Sequence, residues 1–488
     1  MSITRIKLYN TLSAKKEKLI IPKNGLNLFV CGPTVYDLAH IGHARTYIAF
    51  DAFVRFLRSR GIKVFYLQNI TDVDDKIIAR ARETKVNPLA LSRRFTREYF
   101  KDMKSLDIRS INAYAPASAF IPEIVRQIKT LIKKGHAYKI EGEGYYFDLK
   151  TFPEYGKLAK RTAEQAEDAV SRIDEGVNKR NKGDFALWKF SKTQIYANRN
   201  ADLRRKKIPV ILNGEPAWFT ELGWGRPGWH IEDTAITDTH FGPQYDIHGG
   251  GIDIKFPHHE SEIAQQEAAS GKKPFVKIWM HTGHLLVNGK KMSKSAHNFI
   301  TIRNFIKDNS PQIIRFMTLA HHYRSPMDYT PAMAEQAKNS LRTIDETLST
   351  LAFISKKATP VKKAKGEIGI QTAEKKFHRA LEDDFNTPEA IAALFGFINA
   401  IQHKKWTLSG KEAKNAYTFI SKNLGILGVQ FKQIPVPAKA KKAAQEREKF
   451  RLNKQFIKAD ALRKKMEGLG YVIDDTPMGP CIRKKYST

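Results

Sequence analysis

Near the start of the chain, apolar residues form a short run, then a helix-spaced series, then a second run. GLNLFVCGP predicts a buried strand that ends in a Gly-Pro loop. GHARTYIAFDAFVRFLRSRG predicts a helix with basic residues late in it and Gly61 just beyond its end. KVFYLQNI predicts a second strand, so the three segments predict a βαβ unit of a parallel sheet. Such sheets bind ligands beyond the carboxyl ends of their strands, where Cys31, His40, His43 and Thr71 would lie.

The hydrophobic pattern beyond the βαβ unit predicts an insertion, further strands and helices of the sheet domain, and a helical second half. GHAYKIEGEGYYFDL predicts a hairpin, and the basic stretch around 199–207 predicts an insertion between two halves of the sheet domain. YDIHGGGIDIKFPHHESEIAQQEAA predicts a strand, a glycine-rich loop and a helix, and VKIWMHTGHLLVNGKKMSKS predicts a strand that ends in a lysine-rich loop. From residue 311 the pattern is helical, with KKATPVKKAKGEIG and QIPVPAKAKKAAQ as expected linkers. The tail from REKFRLNKQF onward predicts one basic amphipathic helix followed by a short hairpin.

Composition narrows the class of protein. The 488 residues include 83 Lys and Arg against 50 Asp and Glu, a formal charge of +33. This excess favours a polyanionic partner, first of all nucleic acid, although a solvated cationic surface would give the same count. Cys31 and Cys481 are the only cysteines, which excludes a disulfide framework and favours a reducing compartment. No apolar run predicts a membrane span or an export signal, so we expect a cytoplasmic protein that does not contact a membrane.

The motif HIGH, His40 to His43, places two imidazoles on one face of the first turn of a helix. Gly42 lets another molecule approach the backbone, and a helix N-terminus offers N–H groups to phosphate. The arrangement suits stabilisation of a phosphoryl transition state, although two histidines that merely line a loop would give the same four letters.

The motif KMSKS places Lys291 and Lys294 three residues apart in a loop. Mobile lysines that close on a triphosphate stabilise the charge of leaving pyrophosphate, whereas the alternative is a solvated basic loop. The occurrence of HIGH after the first strand together with KMSKS far downstream is improbable by chance.

With these two motifs the chain resembles the class I aminoacyl-tRNA synthetases, and longer motifs narrow the resemblance to the cysteinyl-tRNA synthetase family. These motifs follow the family's order over essentially the whole chain: CGPTVYDLAHIGHARTYIAFD, NITDVDDKI, GDFALWK, RPGWHIE, HGGGIDIKFPHHESEIAQ, KMSKS, DDFNTPEA and FIKADALRKKMEGLGYVIDDTPMGP.

The resemblance implies an α/β chain with a Rossmann-like parallel-sheet catalytic domain that carries an insertion. A helical-bundle domain and a small C-terminal anticodon-binding domain are expected to follow. The expected boundaries are 1–130 and 226–310 for the halves of the catalytic domain, 131–225 for the insertion, 311–432 for the stem-contact region and bundle, and 433–488 for the anticodon-binding domain.

The resemblance also implies an activity. Cysteine and ATP, with Mg²⁺, would give cysteinyl-adenylate and pyrophosphate, and the cysteinyl group would pass to tRNA(Cys). We expect a monomer. The implied roles are catalysis by His40, His43, Lys291 and Lys294, and ATP binding by His40, Gly42, His43, Asp253 and Lys294. Cysteine binding is implied for Gly32, Thr71 and Trp229, and anticodon reading for Arg451, Asp460 and Asp475. Each tail residue could instead lie on a solvated helix face, and a lone Trp is often a core residue.

The family binds one zinc ion at the ends of its strands, and the matching positions are Cys31, Asp233, His258 and Glu262. From the residues alone, Cys31 fits a core cysteine and His258 with Glu262 fits a surface pair on one helix face, so only the resemblance favours the metal site. Ile263 stands where a metalloprotease helix would need a second histidine. A zinc–thiolate bond would separate cysteine from serine, which a hydrophobic pocket cannot do well, and would make an editing domain unnecessary.

Position 233 departs from the family's pattern, which has a second cysteine there. The formal charge of the ligand set is unchanged, because a carboxylate replaces a thiolate. A carboxylate oxygen is the harder donor and bonds zinc at about 2.0–2.2 Å, against about 2.3 Å for sulfur. The hypothesis is that Asp233 ligates zinc and leaves it a stronger Lewis acid, and the alternative is that Asp233 only hydrogen-bonds a ligand.

Two other functions fit parts of the sequence. A related ligase that joins activated cysteine to a small amine would share the sheet domain and zinc site but would not need the segment beyond KMSKS. A non-catalytic tRNA-binding paralogue is suggested by Asp233 alone and opposed by the intact HIGH and KMSKS motifs.

Overall fold

The computed structural model describes residues 5–161, 165, 178–191, 209–292, 298–357, 369–431 and 435–485. The chain divides into two compact units, one of Met1–Phe305 with Tyr323–Asp328 and one of Ile306–His322 with Tyr329–Thr488. The mixed α/β fold with a parallel sheet and a helical second half is confirmed, whereas the five domain boundaries given above stay a prediction.

The secondary structure of the described residues is numbered in chain order. The strands are β1 Lys7–Asn10, β2 Lys15–Lys18, β3 Leu26–Val30, β4 Val64–Ile70, β5 Ala113–Pro116, β6 Ala137–Ile140, β7 Gly144–Phe147, β8 Phe185–Phe190, β9 Val210–Leu212, β10 Glu215–Thr220, β11 Gly223–Pro227, β12 Tyr245–Gly251, β13 Val276–Thr282, β14 Leu285–Val287, β15 Lys290–Lys291, β16 Met327–Tyr329, β17 Tyr471–Thr476 and β18 Gly479–Lys484. The α-helices are α1 Ile41–Ser59, α2 Asp75–Thr84, α3 Pro88–Ser105, α4 Ile121–Lys133, α5 Ile231–Phe241, α6 Glu260–Ser270, α7 Ile302–Asp308, α8 Pro311–Leu319, α9 Pro331–Lys357, α10 Ile370–Glu382, α11 Thr387–Gln402, α12 Gly410–Ile426, α13 Ala438–Leu452 and α14 Phe456–Gly468.

A five-stranded sheet in the order β13-β12-β3-β4-β5 forms the centre of the first unit, and all its pairings are parallel. Leu28 of β3 pairs with Tyr66 of β4 on one side and Ile247 of β12 on the other. The βαβ unit predicted from the apolar runs is therefore confirmed. Because neighbouring strands run in one direction, their carboxyl ends share one edge, and the loops that follow β3, β4 and β12 meet there.

Helix α1 connects β3 to β4. Most of its residues are buried, including Ala44, Ile48 and Phe53. The helix is capped by Arg60, and Gly61 follows with a φ of +79°. The positive φ explains a glycine at this position, because side chains with a Cβ rarely adopt it.

Arg45 on the same helix is almost fully buried. Its hydrogen bonds connect α1 to the two segments that lead into β14 and β16. Its guanidinium donates to the carbonyl oxygens of Gly283 (2.8 Å), His284 (2.5 Å), Tyr323 and Ser325. Burial lowers the pKa of Arg45 to about 10, so the side chain stays charged at neutral pH.

A second, antiparallel sheet in the order β6-β7-β8-β11-β10-β9 covers most of the predicted insertion, and its strand β11 extends two residues beyond it. The hairpin predicted from GHAYKIEGEGYYFDL is β6 and β7, whereas the basic stretch 199–207 lies outside the described residues. Asp75, the first residue of α2, joins this sheet to the parallel one through ion pairs with Lys189 (2.9 Å) and Arg226 (2.5 Å).

The second unit is helical up to its last hairpin, and two expectations about its end were wrong. The tail is not one helix, because α13 and α14 are separated at Asn453–Gln455, where Lys454 has a φ of +58°. The break lets the two helices fold back and enclose Ala440, Ala444 and Met466 in a small core with the hairpin β17–β18. The expected linker QIPVPAKAKKAAQ is already helical from Ala438, and the other linker lies largely outside the described residues.

Among the described residues, no helix combines the length and the apolar character that a membrane span requires.

Candidate active site and metal centre

The loops after β3 and β4 lie against each other at the carboxyl edge of the parallel sheet. Thr71 donates its N–H to the carbonyl of Pro33, and its own carbonyl accepts from Val35, both at 3.2 Å. A Cβ on Gly32 would clash with the carbonyl oxygen of Asn69, so the close approach of the two loops requires a glycine. The structure thus brings together Gly32 and Thr71, two of the three residues predicted to bind cysteine.

The HIGH motif forms the N-terminus of α1. The Nδ1 atom of His40 accepts hydrogen bonds from the backbone N–H groups of Gly42 (3.1 Å) and His43 (3.3 Å). In return, Nδ1 of His43 accepts from the N–H of His40 at 3.3 Å, and the two rings stack with centroids 3.8 Å apart. A Cβ on Gly42 would lie 2.8 Å from the His40 ring, so the folded-back cap itself explains this glycine.

These bonds fix the tautomer of both histidines. A ring nitrogen that accepts a hydrogen bond carries no hydrogen, so the hydrogen of each neutral ring is on Nε2. Burial lowers the pKa of His40 to about 2, with His43 adding to the shift and Asp253 opposing it. Burial likewise lowers the pKa of His43 to about 4, with the charge of Lys76 adding to the shift. At neutral pH the site therefore offers two uncharged N–H donors next to a helix N-terminus, a combination suited to phosphate oxygens.

A pocket opens in front of this helix start. It is lined by Pro33, Thr34, Val35, Tyr36, Asp37, Leu38, Ala39, His40, His43, Tyr99 and Phe299.

The residues that flank KMSKS are attached to the same helix start. The N–H of Ile41 donates to Ile300 (3.1 Å), the N–H of Ile302 donates to Ala39 (2.9 Å), and the ring of Phe299 meets His40 edge-on. Lys291 is exposed on β15, and Lys294 lies outside the described residues. The fold therefore brings the residues that follow KMSKS to the start of the HIGH helix.

The four residues predicted to bind metal are all buried and converge on one point. The Oδ2 atom of Asp233 lies 3.4 Å from Sγ of Cys31 and 3.0 Å from Nε2 of His258. The same His258 nitrogen lies 3.1 Å from Oε1 of Glu262. Cys31 follows β3, Asp233 is in the first turn of α5, and His258 and Glu262 bracket the start of α6, so three separate segments build the cluster.

The chemistry of this cluster fits a divalent cation. Oδ1 of Asp233 and both carboxylate oxygens of Glu262 are buried and accept no hydrogen bond from the residues that the structure describes. Burial, together with the neighbouring carboxylate Asp233, raises the pKa values of Cys31 and Glu262. Buried acidic groups without donors are costly, and a cation among them would offset their charge and favour the deprotonated forms. A thiolate, an imidazole and two carboxylates are donors that zinc accepts.

Two histidines that the sequence analysis missed also reach the sulfur of Cys31. Nε2 of His259 lies 3.1 Å from Sγ, and Nε2 of His248 lies 3.4 Å from it. They form a second possible ligand set with Cys31 and Glu262, but that set would leave the Asp233 carboxylate buried without a cation. Two overlapping sets of buried side chains could therefore hold a metal ion, and both include Cys31 and Glu262. Both histidines stand in the quoted motif HGGGIDIKFPHHESEIAQ, but their burial beside Cys31 depends on distant segments that the motif does not reveal.

Trp229 and Glu232 complete the side of the site next to the metal cluster. The half-buried Trp229 ring stacks on His258, with centroids 4.4 Å apart and an interplanar angle of 17°. Glu232 is buried and accepts a hydrogen bond from the Thr71 hydroxyl, a role that the sequence analysis did not identify. Burial raises the pKa of Glu232, with Asp233 adding to the shift.

The three predicted anticodon residues lie close together in the second unit. Asp475 accepts two hydrogen bonds from the buried Arg447 (2.5 and 3.0 Å) and pairs with Arg451 at 2.8 Å. The hydrogen bond to Asp475 raises the pKa of Arg447, and the charge of the exposed Asp460 adds to that shift. These contacts attach the hairpin β17–β18 to α13, and the anticodon-reading role of the residues stays a prediction.

Comparison with known proteins defines the class. A family model described as "tRNA synthetases class I (C) catalytic domain" matches residues 18–339, and a DALR domain model matches residues 376–432. The Mycobacterium tuberculosis methionyl-tRNA synthetase in complex with methionyl-adenylate shares the fold, with a TM-score of 0.55 and 14% identity over 83% of this chain and 89% of that one. The chain belongs to the class I aminoacyl-tRNA synthetases.

Curated relatives narrow the family. The cysteine–tRNA ligase of Thermococcus gammatolerans is 40% identical over 97% of this chain and 98% of its own length. That of Persephonella marina is 38% identical over 98% of this chain and 100% of its own. Within its class, the chain belongs to the cysteine–tRNA ligase family.

The capping contacts predict how the two HIGH histidines titrate. We expect both rings to stay neutral, protonated at Nε2, as the pH falls from 7 to 5, because the pKa of His43 is lowered to about 4 and that of His40 to about 2. NMR of the ¹⁵N-labelled histidine rings measures this, with His40→Gln and His43→Gln for assignment. A transition of either ring near pH 6.5, or hydrogen on Nδ1, would contradict the assignment.

Proposed function

We propose that the chain activates cysteine with MgATP and transfers the cysteinyl group to the 3′ end of tRNA(Cys). The observation that carries the proposal is the junction of a phosphate-binding helix start with a buried, metal-ligating cluster. Tyr47 of α1 connects them, since its hydroxyl donates to the carbonyl of Cys31 (3.3 Å) and its ring lies parallel to that of His43. A small amino acid could span this junction with its carboxylate toward ATP and its side chain toward the cluster.

The helix start supplies the chemistry of activation. The carboxylate oxygen of cysteine attacks the α-phosphorus of ATP, and pyrophosphate leaves with the electrons of the broken bond. Because the carboxylate is already ionised, this step needs no general base. The Nε2–H groups of His40 and His43 donate to the α-phosphate oxygens as negative charge develops, and Lys291 and Lys294 act on the β- and γ-phosphates with Mg²⁺.

The buried cluster supplies selectivity. Cys31, Asp233, His258 and Glu262 would hold one zinc ion, which when bound supplies a soft Lewis acid that prefers a thiolate to a hydroxyl. The imidazoles of His248 and His259 hold the sulfur of Cys31 in place. Trp229, Thr71 and Gly32 form the remaining walls around the amino acid, with Glu232 orienting the Thr71 hydroxyl.

The partner of the second step is a polyanion. A formal charge of +33 favours tRNA, and its anticodon would be read in the second unit by Arg451, Asp460 and Asp475. We propose that the enzyme acts as a monomer. The long second unit also favours a tRNA acceptor over a small amine.

Replacing Asp233 tests the ligand set. We expect Asp233→Ala to lose zinc to a chelator at least about 100-fold faster than the wild type, since loss of a ligand exceeds the effect of losing a ligand's hydrogen-bond partner. Asp233→Cys should retain zinc more firmly, because sulfur is the softer donor. Zinc remaining after timed chelation is the readout. Asp238→Ala, on the same helix but outside the cluster, is the control, and equal retention in Asp233→Ala and Asp238→Ala would refute the ligand role.

Replacing Lys294 tests the activity. The wild type should show cysteine-dependent ATP–pyrophosphate exchange and should charge tRNA with cysteine. Lys294→Ala should lower the exchange by about 100-fold or more, because it removes a positive charge that stabilises the leaving pyrophosphate. The zinc content should stay normal. Lys272→Ala, at the opposite edge of the sheet, should match the wild type. Absence of exchange in the wild type would refute the function, and full exchange in Lys294→Ala would refute the role of that lysine.

A further inference from the structure

Lys76 is a positively charged residue at the site. None of the roles proposed above involves it. It is the second residue of α2, the helix that follows β4 and Thr71, and its side chain is exposed. The Asp74 carboxylate caps the helix by accepting the backbone N–H of Lys76 at 2.8 Å. The side chain is thereby held at the carboxyl edge of the parallel sheet, on the same edge as Cys31 and His43.

Two contacts locate the ammonium group of Lys76. Its Nζ lies 5.5 Å from the centre of the Trp229 ring, the ring that stacks on His258 of the metal cluster. Its charge also acts on His43, where it adds to the effect of burial in lowering the pKa. Lys76 therefore lies between the wall of the amino acid pocket and the phosphate-binding helix start.

The charge of Lys76 is also uncompensated. The neighbouring Asp75 is engaged by Lys189 and Arg226 of the antiparallel sheet, and no carboxylate in the described part of the chain pairs with Lys76. An exposed lysine without an ion-pair partner is ordinary on a surface, but this one faces a site whose substrates are a carboxylate and a triphosphate. An anionic substrate bound in the site would supply the ion-pair partner that the ammonium group of Lys76 lacks.

We propose that Lys76 is a further catalytic residue, whose ammonium group contacts the oxygens at the junction of the cysteine carboxylate and the α-phosphate. The inference rests on the proposed function. As the carboxylate oxygen bonds to the α-phosphorus and pyrophosphate departs, negative charge builds on the α-phosphate oxygens, and Lys76 offsets it without giving or taking a proton. It complements the HIGH histidines, which are neutral donors, by supplying a fixed full charge that does not depend on the KMSKS loop.

The test separates this role from mere packing on Trp229. Lys76→Met keeps an unbranched apolar stem over the ring and removes the charge, and Lys76→Arg keeps the charge. Steady-state ATP–pyrophosphate exchange gives kcat and the KM values for ATP and cysteine. We expect kcat to fall by about 100-fold in Lys76→Met with the KM for cysteine changed less than about threefold, and at least a tenfold recovery in Lys76→Arg.

Lys85→Met, which removes a charge from the other end of α2, is the matched control and should equal the wild type. Zinc content and the midpoint of thermal unfolding establish whether each variant is folded. If Lys76→Met is not folded, Lys76→Gln takes its place. A kcat within about threefold of the wild type, a change confined to the KM for cysteine, or equal losses in the Met and Arg variants would each overturn the proposal. Failure of the proposed function is distinct, because the wild type itself would then show no exchange.

Discussion

The parallel pairing of β3 with β4 and β12 is the constraint on which the rest of the site depends. It forces three loops to one edge of the sheet, so Cys31, Thr71 and the segment after β12, which leads to His258, become neighbours although they are far apart in sequence. The same edge receives the N-terminus of α1, since the crossover helix must begin where β3 ends. The HIGH histidines and the buried Cys31–Glu262 cluster are therefore adjacent because of one topological feature.

A second constraint is electrostatic. Glu232, Asp233 and Glu262 are buried close together, beside the buried thiol of Cys31. Few hydrogen-bond donors of the described residues reach their carboxylate oxygens. Such a cluster is costly in an apolar interior, and a bound cation removes the cost. The start of the HIGH helix differs, because its two histidines are uncharged: burial and backbone hydrogen bonds keep both rings neutral. The site thus separates a cluster of buried acidic groups from a pair of neutral N–H donors.

Much of this was readable from the sequence, for physical reasons that also explain what was not. The βαβ unit followed from apolar runs typical of a buried parallel sheet, and the proposed metal ligands followed only from the family resemblance. The inward-facing His248 and His259 were missed because a histidine's burial depends on distant segments. The tail was wrongly predicted as one helix because Lys454 has no intrinsic turn signal, and only the packing of Met466 against Ala440 and Ala444 shows the break. Glu232 was hidden because a buried acid looks like a surface acid in sequence.

The central claim is that a metal held by Cys31, Asp233, His258 and Glu262 makes the enzyme specific for cysteine. The most direct measurement is ATP–pyrophosphate exchange with cysteine and with serine, on the purified chain, after chelation and after zinc is restored. The account predicts that exchange with cysteine disappears on chelation and returns with one equivalent of zinc, while serine stays at background throughout. A chelated, metal-free chain that still activates cysteine in preference to serine would contradict the account.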